Sequence, residues 1–269
     1  MNKEEIINTI KLVRDSSKKR NFSQTFDFII NLKSFDIKKD TLDQYLVFPF
    51  NMGRKAKVCA IVGKELLTQA RETFDKIIFD EEFPTWAKDK KAIKKLVSEY
   101  DYFLAQANLM AQIATTFGKI LGPKGKMPDP KANCVVPPKM SDNDLKKIYN
   151  NLQKTIKVTT KGEPSIKCIV GNESMDDKEI CENILSAYNF IVHLLPLEKN
   201  NISSVLIKLT MSPVVKIGEK KEDIEKRLKD KAKEKTKKSY KEKKNVKDVK
   251  EKVTELKDKK IKEEDKPKK

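Results

Sequence analysis

Between residues 57 and 119, short apolar runs alternate with amphipathic stretches at a spacing that few architectures can accommodate. KVCAIVG (57–63) reads as a buried strand and leads into the helical ELLTQARETF. KIIFD (76–80) is a second strand, followed by a lysine-rich helical stretch that includes 87–98. DYFLAQ (101–106) is a third, with a helix over 108–119. Strands separated by helices need crossover connections, so the pattern predicts a parallel, three-layer α/β (Rossmann-like) unit. The Gly/Pro-punctuated LGPKGKMPDPK (121–131) reads as a loop that no regular element would contain.

The flanks follow a different grammar. Residues 1–20 carry Ile6, Ile7, Ile10 and Val13 at helical spacing, QTFDFIINL (24–32) reads as a strand, and 34–54 is looser. A helix is predicted near 141–153. After it, IKVTTK (156–161) and SIKCIVG (165–171) flank Gly162 and Pro164, which predicts a hairpin. DDKEICENILSAYNFIVHLL (176–195) is an amphipathic helix with Asp176 and Asp177 at its electrostatically favoured end, and ISSVLIKLTM (202–211) is the last strand. The fold class expected is α/β and α+β in two domains. An antiparallel-sheet α+β domain would be formed by both chain ends, 1–53 and 155–218, with the α/β domain, 54–154, inserted between them.

Composition breaks at Gly218. Residues 219–269 hold 23 Lys or Arg against 14 Asp or Glu, an excess of 9 that is half of the formal +18 of the whole chain. The segment contains no glycine and only Tyr240 as an aromatic, so it cannot build a core. It reads as a Lys/Glu-rich tail, disordered or transiently helical, with a weak apolar stripe at Val246, Val249, Val253 and Leu256.

The net charge points to a polyanion, and phosphate backbones are the commonest one. Other classes lose support. No apolar run approaches the roughly 18–20 residues of a membrane span, so no membrane partner is expected. Cys59, Cys134, Cys168 and Cys181 contain no CxxC pair, which argues against a zinc module or a disulfide framework. The single histidine, His193, leaves little basis for histidine catalysis or metal binding. Gly122 and Gly125 are too close for a P-loop, and Met127 follows Lys126 where the magnesium-binding hydroxyl should stand. Asp80, Glu81 and Glu82 have no nearby His or Cys partner and read as a solvated turn. No enzyme activity, cofactor or metal is expected.

Strand faces carry the positive argument. Side chains alternate across a strand, and four of these strands set an apolar face against one bearing Thr, Ser or Lys. The polar sets are Thr25, Asp27 and Asn31; Lys157, Thr159 and Lys161; Lys167; and Ser204, Lys208 and Thr210. A sheet with a wet face would look the same. Hydroxyls, lysines and a carboxylate are also what a surface for RNA phosphates and 2′-hydroxyls would use. Phe22, set between polar residues before the first strand, could stack on a base or sugar, while a loop Phe tucked into the domain's own core is at least as common.

LGPKGKMPDPK (121–131) closely resembles the signature of the large-subunit ribosomal protein L-one family. RNFSQTFDFIINLKSFD (20–36) resembles its N-terminal segment, and LTMSP (209–213) its closing Thr-Met-Gly-Pro. YDYFLAQANLM (100–110) and GNESMDDKEICENI (171–184) resemble the archaeal-type version. The resemblance implies a structural protein of the stalk beside the exit tRNA site. Its partners would be large-subunit rRNA, exit-site tRNA, other ribosomal components and its own mRNA, whose translation it would repress. Localisation would be the cytoplasmic ribosome. The family's RNA contacts carry over to Phe22, Thr25, Asp27, Lys161, Lys167, Ser204, Thr210 and Met211, and a hinge to Gly53–Arg54 and Lys154–Thr155. Ser212 replaces the usual Gly, where a Cβ would hinder close RNA approach; Asn21 stands where a basic residue is frequent. The alternative is a ribosome-assembly factor built on the same domain.

Overall fold

The computed structural model describes residues 1–36, 40–160, 162–219, 221–224 and 226–227. In chain order the first half forms α1 (Lys3–Asp15), β1 (Thr25–Leu32), β2 (Asp43–Val47), β3 (Val58–Val62), α2 (Leu67–Thr73), β4 (Lys76–Phe79), α3 (Phe83–Lys88), α4 (Lys90–Glu99) and β5 (Tyr102–Gln106). The second half forms α5 (Met110–Thr116), α6 (Gly118–Lys124), β6 (Val135–Val136), α7 (Asp142–Lys154), β7 (Thr155–Thr159), β8 (Ser165–Asn172), α8 (Asp177–Leu194), β9 (Ile202–Leu209) and β10 (Val215–Lys216).

Both chain ends build one antiparallel sheet in the order β10-β9-β1-β8. Along β1, Phe26, Phe28, Ile30 and Leu32 are buried while Thr25, Asp27, Ile29 and Asn31 are half-exposed, the two-residue period expected of a half-covered strand. α1 contributes Ile6, Ile10 and Val13 to the core, and α8 contributes Ile180, Ile184, Ala187 and Ile191. Opposite Phe26 and Asp27 the register slips: Phe26 faces Gly171 and Asp27 faces Ile169, so Val170 is a bulge residue. Gly171 packs closely: a Cβ there would lie 3.1 Å from Ile180 Cγ1 and 3.2 Å from Met175 Sδ, so both neighbours would have to shift.

The second sheet is parallel, in the order β4-β3-β5-β6. Val58, Ala60 and Val62 pack with Leu66, Ala70, Phe74, Leu145 and Leu152, on the side of α2 and α7. Cys59 and Ile61 pack with Phe83, Ile93, Leu96, Val97, Ile113, Phe117 and Leu121, on the side of α3 to α6. β3 is buried at all five positions, as a strand covered on both faces must be. The three-layer arrangement agrees with the alternation read from 57–119.

Two expectations are corrected. The strands flanking Gly162 do not form a hairpin with each other: β7 pairs with β2, from Asp43 opposite Thr159 to Val47 opposite Thr155, in a separate two-stranded ribbon. Leu42 and Thr160 continue that ladder with hydrogen bonds of 3.0 and 3.1 Å, so the donors of β7 are used there and β8 pairs with β1 instead. Nor is 121–131 all loop. α6 runs to Lys124 with Pro123 in its last turn, where the missing N–H costs a single helical bond. Gly125 then takes φ +64°, with its N–H donating to Gly122 O and that of Lys126 to Leu121 O, which closes the helix with a Schellman cap. Lys126 Nζ donates to Val97 O (3.0 Å) and Tyr100 O (2.6 Å) at the end of α4, and partial burial lowers its pKa. That lysine closes a helix end. Pro130–Ala132 adds a 3-10 turn capped by Asp129.

Met1–Gly218 gather into one compact unit. Beyond it, the described residues within 221–227 are helical, and Arg227 pairs with Glu219 at 3.2 Å. The apolar stripe read at 246–256 lies outside the described residues, as does Lys161.

Candidate nucleic-acid interface

The face of the antiparallel sheet turned away from its buried side chains is a grid whose rows follow the strand register. Asn172, Thr25 and Thr210 form the row at one end. The next holds Ile169, Asp27 and Lys208, then Lys167, Ile29 and Leu206, then Ser165, Asn31 and Ser204. Thr25, Asp27, Lys167, Ser204, Lys208 and Thr210, named from the sequence, are therefore brought together on one surface from three strands.

The grid is internally bonded. Lys208 Nζ lies 3.4 Å from Asp27 Oδ2, and Asn31 Nδ2 donates to Ser204 Oγ at 3.0 Å. Lys167 is held at 2.6 Å by Glu163, four residues back, a pair exposed enough to be worth little. Ile29, Ile169 and Leu206 interleave these polar groups.

At the Thr25–Thr210 end, the turn after β9 is pinned from two directions. The amide N–H of Leu209 donates to Ser212 Oγ (2.8 Å), and that hydroxyl in turn reaches Leu209 O and Pro213 O. Ser212 thus ties its polar atom back into its own turn, and its φ is not left-handed. Met211 N–H donates to Gln24 Oε1 (3.1 Å), while the amide nitrogen of Gln24 donates to Ser17 Oγ and Lys18 O. Gln24, 1% exposed, was missed from the sequence; a polar residue just before a strand has no periodicity to mark it as buried. Two large apolar side chains stand in solvent beside this turn's backbone and strand: Met211 is 58% exposed and Phe22 52%.

Lys157 and Thr159 lie on the β2–β7 ribbon, apart from the grid. Lys157 pairs with Asp43 at 2.9 Å and sits 5.1 Å from the centre of the Tyr45 ring. Between ribbon, grid and parallel unit is a cavity of about 350 Å³. Thr25, Ile169 and Lys157 line it on one side, and Lys124, Lys126 and Met127 on the other. Of the four residues read as a hinge, Arg54 and Thr155 line this cavity. Gly53 has φ +73°, and a Cβ there would meet Asn172 Cβ at 2.7 Å. Arg54 pairs with Asp101 at 3.2 Å, Lys154 Nζ donates to Pro49 O, and Thr155 O accepts from the Tyr102 hydroxyl at 2.6 Å.

A model of the Ribosomal protein L1p/L10e family matches residues 13–213, a span that holds every strand from β1 to β9. The chain belongs to that family. "Large ribosomal subunit protein uL1" of Nanoarchaeum equitans is 37% identical over 212 residues, 78% of this chain and 98% of the relative. The proteins of the same name from Methanothermococcus thermolithotrophicus and Methanocaldococcus jannaschii are each 35% identical, over 81% and 82% of this chain and 99% and 98% of their own. Membership of this ribosomal family bears out the non-catalytic reading. It also fits the four thiols: all are buried, and burial pushes Cys59, Cys134 and Cys168 up to about 12, which leaves them poor nucleophiles. His193 sits in the last turn of α8, where a helix end tolerates a basic side chain.

Proposed function

We propose that the chain is a structural component of the large ribosomal subunit in the cytoplasm, and that it binds large-subunit rRNA through the grid. The observation that carries this is the assembly of Thr25, Asp27, Lys167, Ser204, Lys208 and Thr210 on one partly exposed sheet face, edged by exposed Phe22 and Met211. Hydroxyls and lysines suit phosphates and 2′-hydroxyls, while Ile29, Ile169 and Leu206 offer flat apolar ground for sugars. Lys161, outside the described residues, is taken as an RNA contact by resemblance alone. Lys157 and Thr159 would make a secondary contact from the ribbon, and Ser212 would act through the turn it closes.

In this reading 1–53 and 155–218 form the RNA-binding domain and 54–154 an inserted domain that moves on Gly53–Arg54 and Lys154–Thr155. Movement there would open the cavity beside Thr25 and admit RNA. Stalk formation beside the exit tRNA site, contact with that tRNA and repression of its own mRNA follow from the same resemblance.

Sedimentation is the direct test. Stable comigration with mature large subunits, lost on charge reversal of Lys208, supports the proposal. Comigration with precursor particles alone would favour an assembly factor. If replacement of 54–154 by a flexible linker leaves a folded protein silent toward the rRNA fragment, the grid is not the main site.

A further inference from the structure

On the outer surface of the parallel unit, α4 presents a cationic stripe. Ile93, Leu96 and Val97 turn inward, whereas Lys90, Lys91, Lys94, Lys95 and Ser98 are exposed. Lys90–Lys94 and Lys91–Lys95 are i,i+4 pairs on adjacent rows that converge on Ser98. There Lys124 Nζ from α6 joins them, 3.0 Å from Ser98 Oγ. None of these five lysines has a carboxylate within salt-bridge distance among the described residues. The carboxylates nearby are turned elsewhere: Asp89 caps the N-terminus of α4, Glu99 pairs with Lys57, and Glu82 accepts from Trp86 Nε1.

Like charges at i,i+4 destabilise a helix, so folding alone gives no reason to stack four lysines on two adjacent rows. Solubility would be served as well by mixed signs. An acidic protein is a poorer match than a nucleic acid. Protein interfaces centre on aromatic and apolar side chains and are depleted in lysine, and the outward face of α4 carries no large apolar residue. The stripe also contains no arginine and no exposed aromatic ring, so it has neither the bidentate fork that reads a base edge nor a platform for an unstacked base. What remains is point charge in rows, which suits a regularly spaced phosphate backbone.

We propose that the α4 stripe, Lys90, Lys91, Lys94 and Lys95 extended by Lys124, is a second RNA-docking surface that holds the phosphate backbone of a double-helical segment without reading its sequence. The grid selects the RNA; the stripe, on helices of the parallel unit, holds a duplex arm, and its Lys124 end lines the cavity that Thr25 and Ile169 border.

The test uses the full chain, a scrambled duplex RNA of about 20 base pairs, and polyglutamate as the acidic-polypeptide control. Lysine acetylation is mapped by peptide, so that protection at α4 is read separately from the lysine-rich tail. Duplex RNA is expected to protect Lys91, Lys94 and Lys95, and polyglutamate at equal charge to leave them open. The K91Q/K94Q/K95Q variant should lower the log–log salt slope of duplex binding by about 0.9 for each phosphate it no longer neutralises, on a scale established with DNA. Its preference for the cognate rRNA fragment should persist. Unprotected α4 lysines, or an unchanged slope, would overturn the proposal; equal protection by polyglutamate would do so in favour of a protein partner. Thr210→Val should weaken cognate binding and leave α4 protection intact, so failure of the grid and failure of the stripe give different results.

Discussion

Thr25 and Thr210 lie 185 residues apart in the chain, yet their hydroxyl oxygens are 3.0 Å from each other, and the Thr25 N–H donates to Thr210 Oγ1 at 3.2 Å. One strand edge and the end of another are thereby joined in the row beside exposed Phe22 and Met211. Thr210→Val keeps shape and β-propensity but removes the hydroxyl. The fold should persist, while affinity for the rRNA fragment falls by roughly 1–3 kcal/mol, the cost of an unmade polar contact in a buried interface. Filter binding and thermal melting of the same preparation check both halves.

Ile207→Ala tests the opposite face of β9. Ile207 is fully buried, so truncation leaves a cavity and should cost about 2–5 kcal/mol of stability. RNA affinity per folded molecule should not change. A loss of affinity without a loss of stability would mean that the two faces are misassigned.

Gln24→Leu removes the acceptor of Met211 N–H from a buried position. Stability should drop by about 1–3 kcal/mol, the penalty for leaving a buried polar group unpaired. Cognate RNA affinity should drop as well, because Met211 and Thr210 sit on the freed turn. Denaturant melts and RNA titration report the two effects separately.

Ser212→Ala deletes the hydroxyl that accepts from Leu209 N–H and retains the Cβ. The expected cost is about 0.5–1.5 kcal/mol in stability, one ordinary hydrogen bond, with weaker RNA binding through a looser turn. Ser212→Gly gives the family's usual residue; if it binds more tightly than the parent, the Cβ obstructs RNA and the turn-closing role is secondary.

The thiols give a pH prediction. Cys59, Cys134 and Cys168 stay protonated in the folded chain up to about 12, whereas unfolded thiols ionise near 9. Over that interval the unfolded chain holds fewer protons, so stability falls as pH rises from about 9 toward 12 and is unaffected by these groups below 9. At pH 8 the native protein should resist alkylation at all three, as counted by intact mass, and react fully in denaturant.

Where burial follows a period, the sequence was readable. β1 alternates, β3 is apolar throughout, and α8 carries its apolar residues at helical spacing, so these elements were found close to their observed limits, while the two-residue strands β6 and β10 were not read. β2 was not found, because DQYLV in a two-stranded ribbon is mostly solvent-facing and has no alternation to detect. Missing it left β7 without its partner and suggested a hairpin. The last turn of α6 was hidden by Gly122 and Pro123, residues that mark a break everywhere except at a helix end. Most of the grid's side chains were legible strand by strand. Their common surface was not, since it depends on β1 lying between β8 and β9, and nothing local records that pairing.

That pairing has a consequence for when the protein becomes competent. The parallel unit is complete once residues up to 154 exist, because its strands and covering helices follow one another along the chain. β1 is made first but lies between strands made at 165–172 and 202–209. Its edges stay unpaired through most of synthesis, and at about 5–20 residues per second that wait lasts many seconds. During it the nascent chain has a folded middle and no grid. A ribosome-bound fragment ending before β9 should therefore resist proteolysis across 56–154 and show no preference for the cognate rRNA fragment over other RNA. Recognition begins only as the last long strand closes on the first.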